Sequence, residues 1–235
     1  MPEPYTRVHY RRMAAADVPF VVEQHLHHFP DGFFARLGPT FLGEYYRAFL
    51  TGTCVSATIA EFDGQRVGYL VGVTDPPAHR DHVVREHGRA LVLKALAGML
   101  LRPALGVLFL RTRAGLYARK LLRRGRKSPV APADAPAAPV RTAVLTHVAI
   151  TASAQSHGIG SELIRRFVDE VAGRGCERLT LVTASGVDGA GPYYEHRGWT
   201  SCGERRTPDG LWLTTYQRPV GEGNVTYPSR SEDTA

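Results

Sequence analysis

A short glycine loop between a strand-like run and a helix-like run is the feature that most constrains this chain. The loop is QSHGIG, residues 155–160, and it follows LTHVAIT, an apolar run rich in β-branched residues. The first turn of a helix has unpaired N–H groups and a partial positive charge, so it attracts phosphate. Gly158 and Gly160 have no Cβ atoms to keep a pyrophosphate away from those amides. The loop therefore predicts either a diphosphate site or an ordinary strand-to-helix turn.

Two common phosphate-binding folds are disfavoured by the sequence around this loop. The P-loop pattern GxxxxGK[ST] is absent, and so is the dinucleotide pattern GxGxxG within an early βαβ unit. What remains is Q-x-x-G-x-G placed directly between a strand and a helix. Its meaning depends on the elements around it.

Hydrophobic periodicity and turn signals predict alternating strands and helices. The predicted elements are a strand at 6–13, helices beginning at Asp17 and Pro39, a hairpin over 55–73, a strand at 140–151, a helix after the loop, a strand at 178–183, a short helix and turn in GPYYEHRGW, and a final strand at 211–217. Asp17 has the position of a helix N-cap. Hairpins and crossovers both occur, so the fold class is α/β with a mixed sheet.

The length of 235 residues suits one domain with a core of its own. We expect a single domain over 1–219 that contains a basic helical insertion at about 83–127. A Pro/Ala-rich linker is expected at about 128–140, and a flexible tail at 220–235.

Composition places the chain in a broad class. The net charge of +7 and pI of about 9.6 favour polyanionic partners without choosing among them. Three separated cysteines without a CxxC pair fit a reducing compartment. The first residues have no apolar segment typical of a signal peptide, and charges interrupt the most apolar stretch, 92–110. We therefore expect a soluble, cytoplasmic protein.

Three motifs together resemble the GNAT superfamily of N-acetyltransferases. The loop resembles the family's coenzyme A pyrophosphate loop, LTHVAIT resembles the strand before it, and YYEHRGW looks like the family's FYxxxGF. The resemblance covers about residues 142–218, and the earlier elements agree with it in order only. It implies a mixed, mostly antiparallel central sheet flanked by helices, to which this chain adds the basic insertion.

The resemblance also implies roles for particular residues. Backbone groups of Val148, Ala149 and Ile150 would hold the pantetheine arm and the acetyl carbonyl. The main chain of the loop would wrap the pyrophosphate through Ser156, His157, Gly158, Ile159, Gly160 and Ser161. Tyr194 aligns with the tyrosine that protonates the departing thiolate. A phenol with a pKa of about 10 can do this while remaining protonated at pH 7.

The general base is not assigned by these motifs. Many members carry an asparagine where this chain has Val187, and some carry a glutamate base where it has Val182. An alkyl amine with a pKa of about 10.4 is mostly protonated at pH 7, so a base or a water chain must remove a proton. The candidates are Glu44, Glu61, Asp188 and His147. His147 also has the pattern of a buried core histidine whose hydrogen bonds are satisfied.

The histidine clusters and the basic insertion leave further alternatives open. HLHH (His25, His27, His28) and HRDH (His79, His82) lack metal-site spacing, so we expect no metal. In the insertion, leucines interleave with the basic residues Arg111, Arg113, Arg119, Lys120, Arg123, Arg124, Arg126 and Lys127. These residues form either a solvated helix face or a surface for an acidic acceptor, carrier protein or lipid head group. Nucleic acid is disfavoured because no recognition helix or aromatic platform accompanies them.

The sequence therefore favours an N-acyltransferase that uses acetyl-CoA or another acyl-CoA. The acceptor would be a primary amine of a small metabolite or amino sugar, attacking directly within a ternary complex. Small acceptors are preferred because the insertion would add covering helices that narrow access. The alternatives are a catalytically silent binding module of the same fold, a protein N-acetyltransferase, and a peripheral protein that docks through 92–127. Acceptor identity, acyl chain length and oligomeric state are not predicted.

Overall fold

The computed structural model describes residues 8–115, 140–186 and 189–221, without the side chains of residues 113 and 114. The basic residues beyond 115, most of the linker, Val187, Asp188 and nearly all of the tail lie outside these ranges. The predictions made for them stay predictions.

One mixed sheet organises the described residues. Its strands are β1 Val8–Arg12, β2 Val55–Phe62, β3 Gln65–Val73, β4 Thr142–Ile150, β5 Arg178–Ala184, β6 Thr200–Arg206 and β7 Trp212–Pro219. Their order across the sheet is β1-β2-β3-β4-β5-β7-β6. Each neighbouring pair is antiparallel except β4 and β5, which are parallel. The predicted fold class, a mostly antiparallel mixed sheet flanked by helices, is confirmed.

The helices begin where the sequence supplies start signals. They are α1 Val18–His28, α2 Phe33–Leu37, α3 Pro39–Thr51, α4 Pro76–His82, α5 Gly88–Leu101, α6 Pro103–Phe109, α7 Ile159–Gly173 and α8 Gly191–Glu195. Proline occupies the first turn of α1, α3, α4, α6 and α8, where its missing N–H removes no helical hydrogen bond. Helix was expected from about residue 83, but α4 already begins at Pro76. Asp75 caps this helix by accepting a hydrogen bond from the Ala78 N–H at 3.0 Å.

The hairpin between β2 and β3 forms as predicted. Asp63 and Gly64 connect the strands with φ values of 47° and 75°, and Phe62 pairs with Gln65. Positive φ at both positions is the geometry of the two-residue turn that matches the right-handed twist of a hairpin.

The two faces of the sheet carry different helices. Leu70 packs in the cluster with α7, whereas its neighbours Tyr69 and Val71 pack with α1 and α3. The predicted stripe of α7 is buried at Leu163, Ile164, Phe167 and Val171. This packing holds the first turn of α7 beside the end of β4.

Asp17 has a different role from the predicted helix cap. Its side chain does not cap α1; it is 1% exposed and binds Arg11 at 2.6 and 2.8 Å and Arg66 at 2.8 Å. The hydrogen bonds from Arg11 are the main reason that the pKa of Asp17 is lowered to about 2. The carboxylate therefore ties β1 to β3.

Among the described helices, none combines the length and apolarity needed to cross a bilayer.

Candidate active site

The parallel strands β4 and β5 separate part of the way along their length. Thr142–Leu145 pair with Arg178–Leu181, but the remainder of β5 pairs only with β7. On its other side, β4 pairs with β3 up to Ile150, with a bulge that leaves Thr146 unmatched. The edge of β4 that faces β5 therefore has no strand partner over residues 147–150. Its backbone groups are available to an extended ligand.

A cleft of about 750 Å³ lies at this separation. Its walls include nine of the ten residues predicted for the site: Val148, Ala149, Ile150, Ser156, Gly158, Ile159, Gly160, Ser161 and Tyr194. His157 is the exception, because it is exposed and its Nδ1 lies 2.7 Å from the Gln155 carbonyl oxygen. Folding thus gathers residues from β4, the loop, α7 and α8 around one space.

The loop presents the first turn of α7 to the cleft. Gly158 has a left-handed conformation, φ 77°, and its carbonyl accepts the first helical hydrogen bond, from the Glu162 N–H at 3.0 Å. The amides of Ile159, Gly160 and Ser161 precede that bond, so they have no partner within the helix. A Cβ at Gly160 would lie 3.5 Å from Ile150 Cγ1, an ordinary contact. Position 158 therefore needs glycine for its left-handed conformation. At position 160 the protein itself leaves room for a Cβ.

Tyr194, on α8, also lines the cleft. It is 6% exposed and packs edge-on against Trp199, with ring centroids 5.5 Å apart. Its hydroxyl has no hydrogen-bond partner among the described residues, and it is not one of the buried unpartnered polar atoms. Burial of the ring raises the pKa of Tyr194. The phenol is therefore neutral at pH 7, with its proton available as a hydrogen-bond donor.

Arg197 and Tyr193 form a group with Ser161 in the wall of the cleft near α7. The Arg197 Nη2 donates to Ser161 Oγ at 3.1 Å, and the Tyr193 hydroxyl lies 3.0 Å from the same oxygen. The Arg197 guanidinium also lies 3.8 Å above the Tyr193 ring, and its Nε is buried without a partner. The sequence analysis did not assign Arg197 or Tyr193 to the site, although both belong to the motif YYEHRGW. A fixed cation beside free helical amides strengthens the attraction for phosphate.

His28, from the last turn of α1, also lines the cleft. Its Nε2 is buried without a hydrogen-bond partner. Burial is the main cause that lowers the pKa of His28. In the sequence, His28 drew attention only as part of HLHH, which lacks metal-site spacing. Within the described residues, no group of three or more ligands could hold a metal ion.

The described candidate bases, Glu44, Glu61 and His147, do not line the cleft. Glu44 binds His87 and Lys94, and Glu61 binds Arg11 at 2.6 Å, so both carboxylates are held elsewhere. Asp188 lies outside the described residues. Their neutralising partners make both glutamates poor bases for a distant amine.

His147 packs against the rings of His25 and Phe29, at centroid distances of 4.8 and 5.4 Å. The expectation that its hydrogen bonds would be satisfied is wrong, because Nδ1 is buried without a partner. Surrounding rings can stabilise an imidazole by packing but offer no acceptor to this nitrogen. Burial lowers the pKa of His147 to about 3, so the ring is neutral.

Comparison with known proteins agrees with this geometry. Residues 129–199 match the model of the acetyltransferase (GNAT) family. No curated protein matches the chain significantly in sequence. The resemblance to the GNAT superfamily is thereby confirmed, and the matched region contains the loop, α7 and the YYEHRGW motif.

Solved acetyltransferases share the fold. An N-acetyltransferase from Staphylococcus aureus Mu50 is 14% identical, with a TM-score of 0.54, over 92% of this chain and all of the other. The ribosomal-protein-S18-alanine N-acetyltransferase from Escherichia coli is 14% identical, with a TM-score of 0.52, over 95% of this chain and all of the other. Aminoglycoside 6'-acetyltransferase type Ii is 11% identical, with a TM-score of 0.53, over 92% of this chain and 99% of the other. Since two of these are named for a protein and an aminoglycoside, the shared fold does not determine the acceptor.

Proposed function

We propose that this protein transfers an acetyl group from acetyl-CoA to a primary amine. The observation that carries the proposal is the cleft between β4 and β5. The strand β4 offers an unpaired edge, the first turn of α7 offers free helical amides beside Arg197, and α8 offers the hydroxyl of Tyr194. These are the groups needed for an extended pantetheine, a diphosphate and a departing thiolate.

Acetyl-CoA fits this set of residues as a co-substrate. The amides of Ile159, Gly160 and Ser161 would bind the diphosphate, as free N–H groups at helix starts do. Backbone groups of Val148 and Ile150 would pair with the amides of the pantetheine arm, as an added strand would. The thioester then lies on the β4 side of the cleft, within the wall shared with Tyr194.

The reaction needs no covalent enzyme intermediate. The amine nitrogen attacks the carbonyl carbon, the C–S bond breaks, and the amine releases one proton to solvent. Tyr194 donates its hydroxyl proton to the leaving sulfur, which departs as the thiol, and the tyrosinate then takes a proton back from solvent. The raised pKa of Tyr194 keeps that proton in place until the thiolate forms, since a thiolate accepts a proton that a thioester sulfur does not.

The described part of the insertion gives no evidence that its helices narrow the entrance to the cleft. No residue from α4, α5 or α6 lines the cleft, so the expected restriction to small acceptors loses that basis. We retain a small metabolite or amino sugar as the proposed acceptor, because a protein of the same fold is named for an aminoglycoside. A peptide N-terminus is the second candidate, because a protein of the same fold is named for a ribosomal-protein alanine.

A panel of amines with thiol-release detection and mass analysis of products tests the proposal. The panel contains amino sugars, small alkyl amines and a peptide with a free N-terminal alanine. We expect acetylation of a primary amine, and Tyr194→Phe should lower kcat about 10²-fold or more because the proton donor is lost. Tyr10→Phe, a partly buried tyrosine outside the cleft, should leave kcat unchanged.

Two outcomes would contradict the proposal in different ways. Binding of acetyl-CoA without acetylation of any amine would identify a silent binding module of this fold. Turnover that Tyr194→Phe leaves intact would retain the reaction but remove the tyrosine from it.

A further inference from the structure

The outward face of α5 is unusually apolar. Five aliphatic side chains at helical spacing are more than half exposed, and we call them the outer stripe: Val92 58%, Leu93 66%, Leu96 54%, Leu100 85% and Leu101 84%. A surface helix of a globular protein normally presents charged and polar residues to water. Contiguous exposed apolar surface of this kind marks an interaction site.

The opposite face of α5 packs against the rest of the domain. The outer stripe is therefore a second apolar face and not the face that α5 buries. A Cβ on Gly98 would lie 2.4 Å from the Leu37 carbonyl oxygen, which shows how closely α5 approaches α2. Met99 and Leu91 pack in the small cluster around Leu37, and Lys94 binds Glu44 on α3. Both faces of α5 are thus apolar, and one of them faces outward.

The stretch of sequence that contains the outer stripe is strongly basic. Residues 83–127 contain twelve of the 29 Lys and Arg residues and one of the 22 acidic residues, a net charge of +11. The rest of the chain then carries −4, although the total is +7. Within the described part of this segment, Arg89 on α5, Arg102 directly after α5 and Arg111 after α6 are exposed, and Glu86 already binds Arg85.

We propose that the outer stripe docks on an anionic lipid surface. Aliphatic side chains can enter the acyl boundary of a bilayer while neighbouring arginines bind the head groups. A second copy of this chain is a poorer occupant, because it would bring two +11 segments together. The outer stripe consists of aliphatic side chains alone, which suits fluid hydrocarbon better than a shaped protein pocket.

Cosedimentation of the full chain with vesicles tests this surface. Vesicles of phosphatidylcholine with about one third phosphatidylglycerol should bind the protein at least tenfold more tightly than phosphatidylcholine alone, and added salt should weaken the binding. The double variant Leu100→Gln, Leu101→Gln should reduce binding about tenfold or more at unchanged Tm, since both side chains are almost free of packing. Trp212→Gln, an exposed apolar residue on β7, should have no effect.

Three results would overturn the lipid surface. The first is equal vesicle binding by the double variant and the wild type. The second is no vesicle binding together with a concentration-dependent dimer that the double variant abolishes, which would assign the stripe to a second copy. The third is no vesicle binding together with retention of the monomer by an immobilised acidic protein, which would assign it to a carrier.

Discussion

Arg197 illustrates how a single residue can complete a phosphate site. Its guanidinium is held by the Tyr193 ring below it and by Ser161 in the first turn of α7. A cation fixed in this way loses little rotamer entropy when it binds an anion.

Replacement of Arg197 should therefore weaken cofactor binding. We expect Arg197→Gln to raise the Kd for acetyl-CoA about 10- to 100-fold, since a hydrogen bond to a charged group contributes roughly 1.5–3 kcal/mol. Titration calorimetry measures this, with Arg165→Gln on the outer side of α7 as the control. Equal affinities for Arg197→Gln and Arg165→Gln would remove Arg197 from the site.

Buried histidines make the stability of the fold sensitive to acid. His25 is 3% exposed, its Nδ1 lies 2.7 Å from the Tyr46 hydroxyl, and burial lowers its pKa from 6.5 to about 4. In the unfolded chain this histidine binds a proton below pH 6.5, whereas in the folded state it does not until about pH 4. The free energy of unfolding should thus be greatest above 6.5 and fall as the pH drops toward 4, by up to about 3 kcal/mol.

Urea unfolding at several pH values checks this window. His25→Phe should make the decline between pH 6.5 and 4 shallower and leave the part that His147 contributes, while the exposed control His27→Gln should leave the whole decline in place. Asp17 acts in a lower window, because its lowered pKa of about 2 preserves its contribution until the pH falls below 3.8. A wild-type stability that is constant between pH 6.5 and 4 would contradict the neutral, buried state of His25.

At the scale of elements, the contact between β3 and α7 positions the cleft. A Cβ on Gly72 would lie 2.2 Å from Phe167 Cζ, so this glycine allows the ring to lie against the sheet. Gly72→Ala should destabilise the fold by roughly 1–3 kcal/mol through overpacking. Phe167→Leu, which shortens the opposing side chain, should recover part of that loss, as denaturant midpoints of a double-mutant cycle would show. Additive effects in the cycle would mean that the two residues do not share this contact.

The sequence predicted the elements whose signals are local. The Asp63–Gly64 turn, the proline starts of the helices and the stripe of α7 each depend on residues close in the chain. β6 was not delimited, because each of its residues is exposed and its pattern has no apolar alternation. Its stability comes from pairing with β7, which a single stretch of sequence does not reveal.

The candidate site was predictable only in part. The glycine loop and Tyr194 have motif signals, and the structure places them around one cleft. The separation of β4 from β5 and the bulge at Thr146 depend on register between distant strands. His28 enters the cleft from α1, more than a hundred residues before β4, so no spacing in the sequence could indicate it.

At the scale of the whole molecule, the excess positive charge and the residues of the cleft come from different parts of the sequence. The residues that line the cleft come from α1, β4, the loop, α7 and α8, whereas the excess positive charge lies in 83–127. The described helices of that segment pack on α2 and α3 and add no residue to the cleft. The described helices of the insertion are therefore separate from the residues that line the cleft.

Calorimetric titration of acetyl-CoA into the wild type and Gly160→Glu tests the central claim most directly. A glutamate in the first turn of α7 favours the helix electrostatically but places a negative charge where a diphosphate would bind. We predict one site per wild-type chain with a Kd between about 1 µM and 1 mM, and at least tenfold weaker binding by a folded Gly160→Glu. Absence of binding to the wild type, or equal binding by both proteins, would contradict the claim that the amides of α7 hold the cofactor.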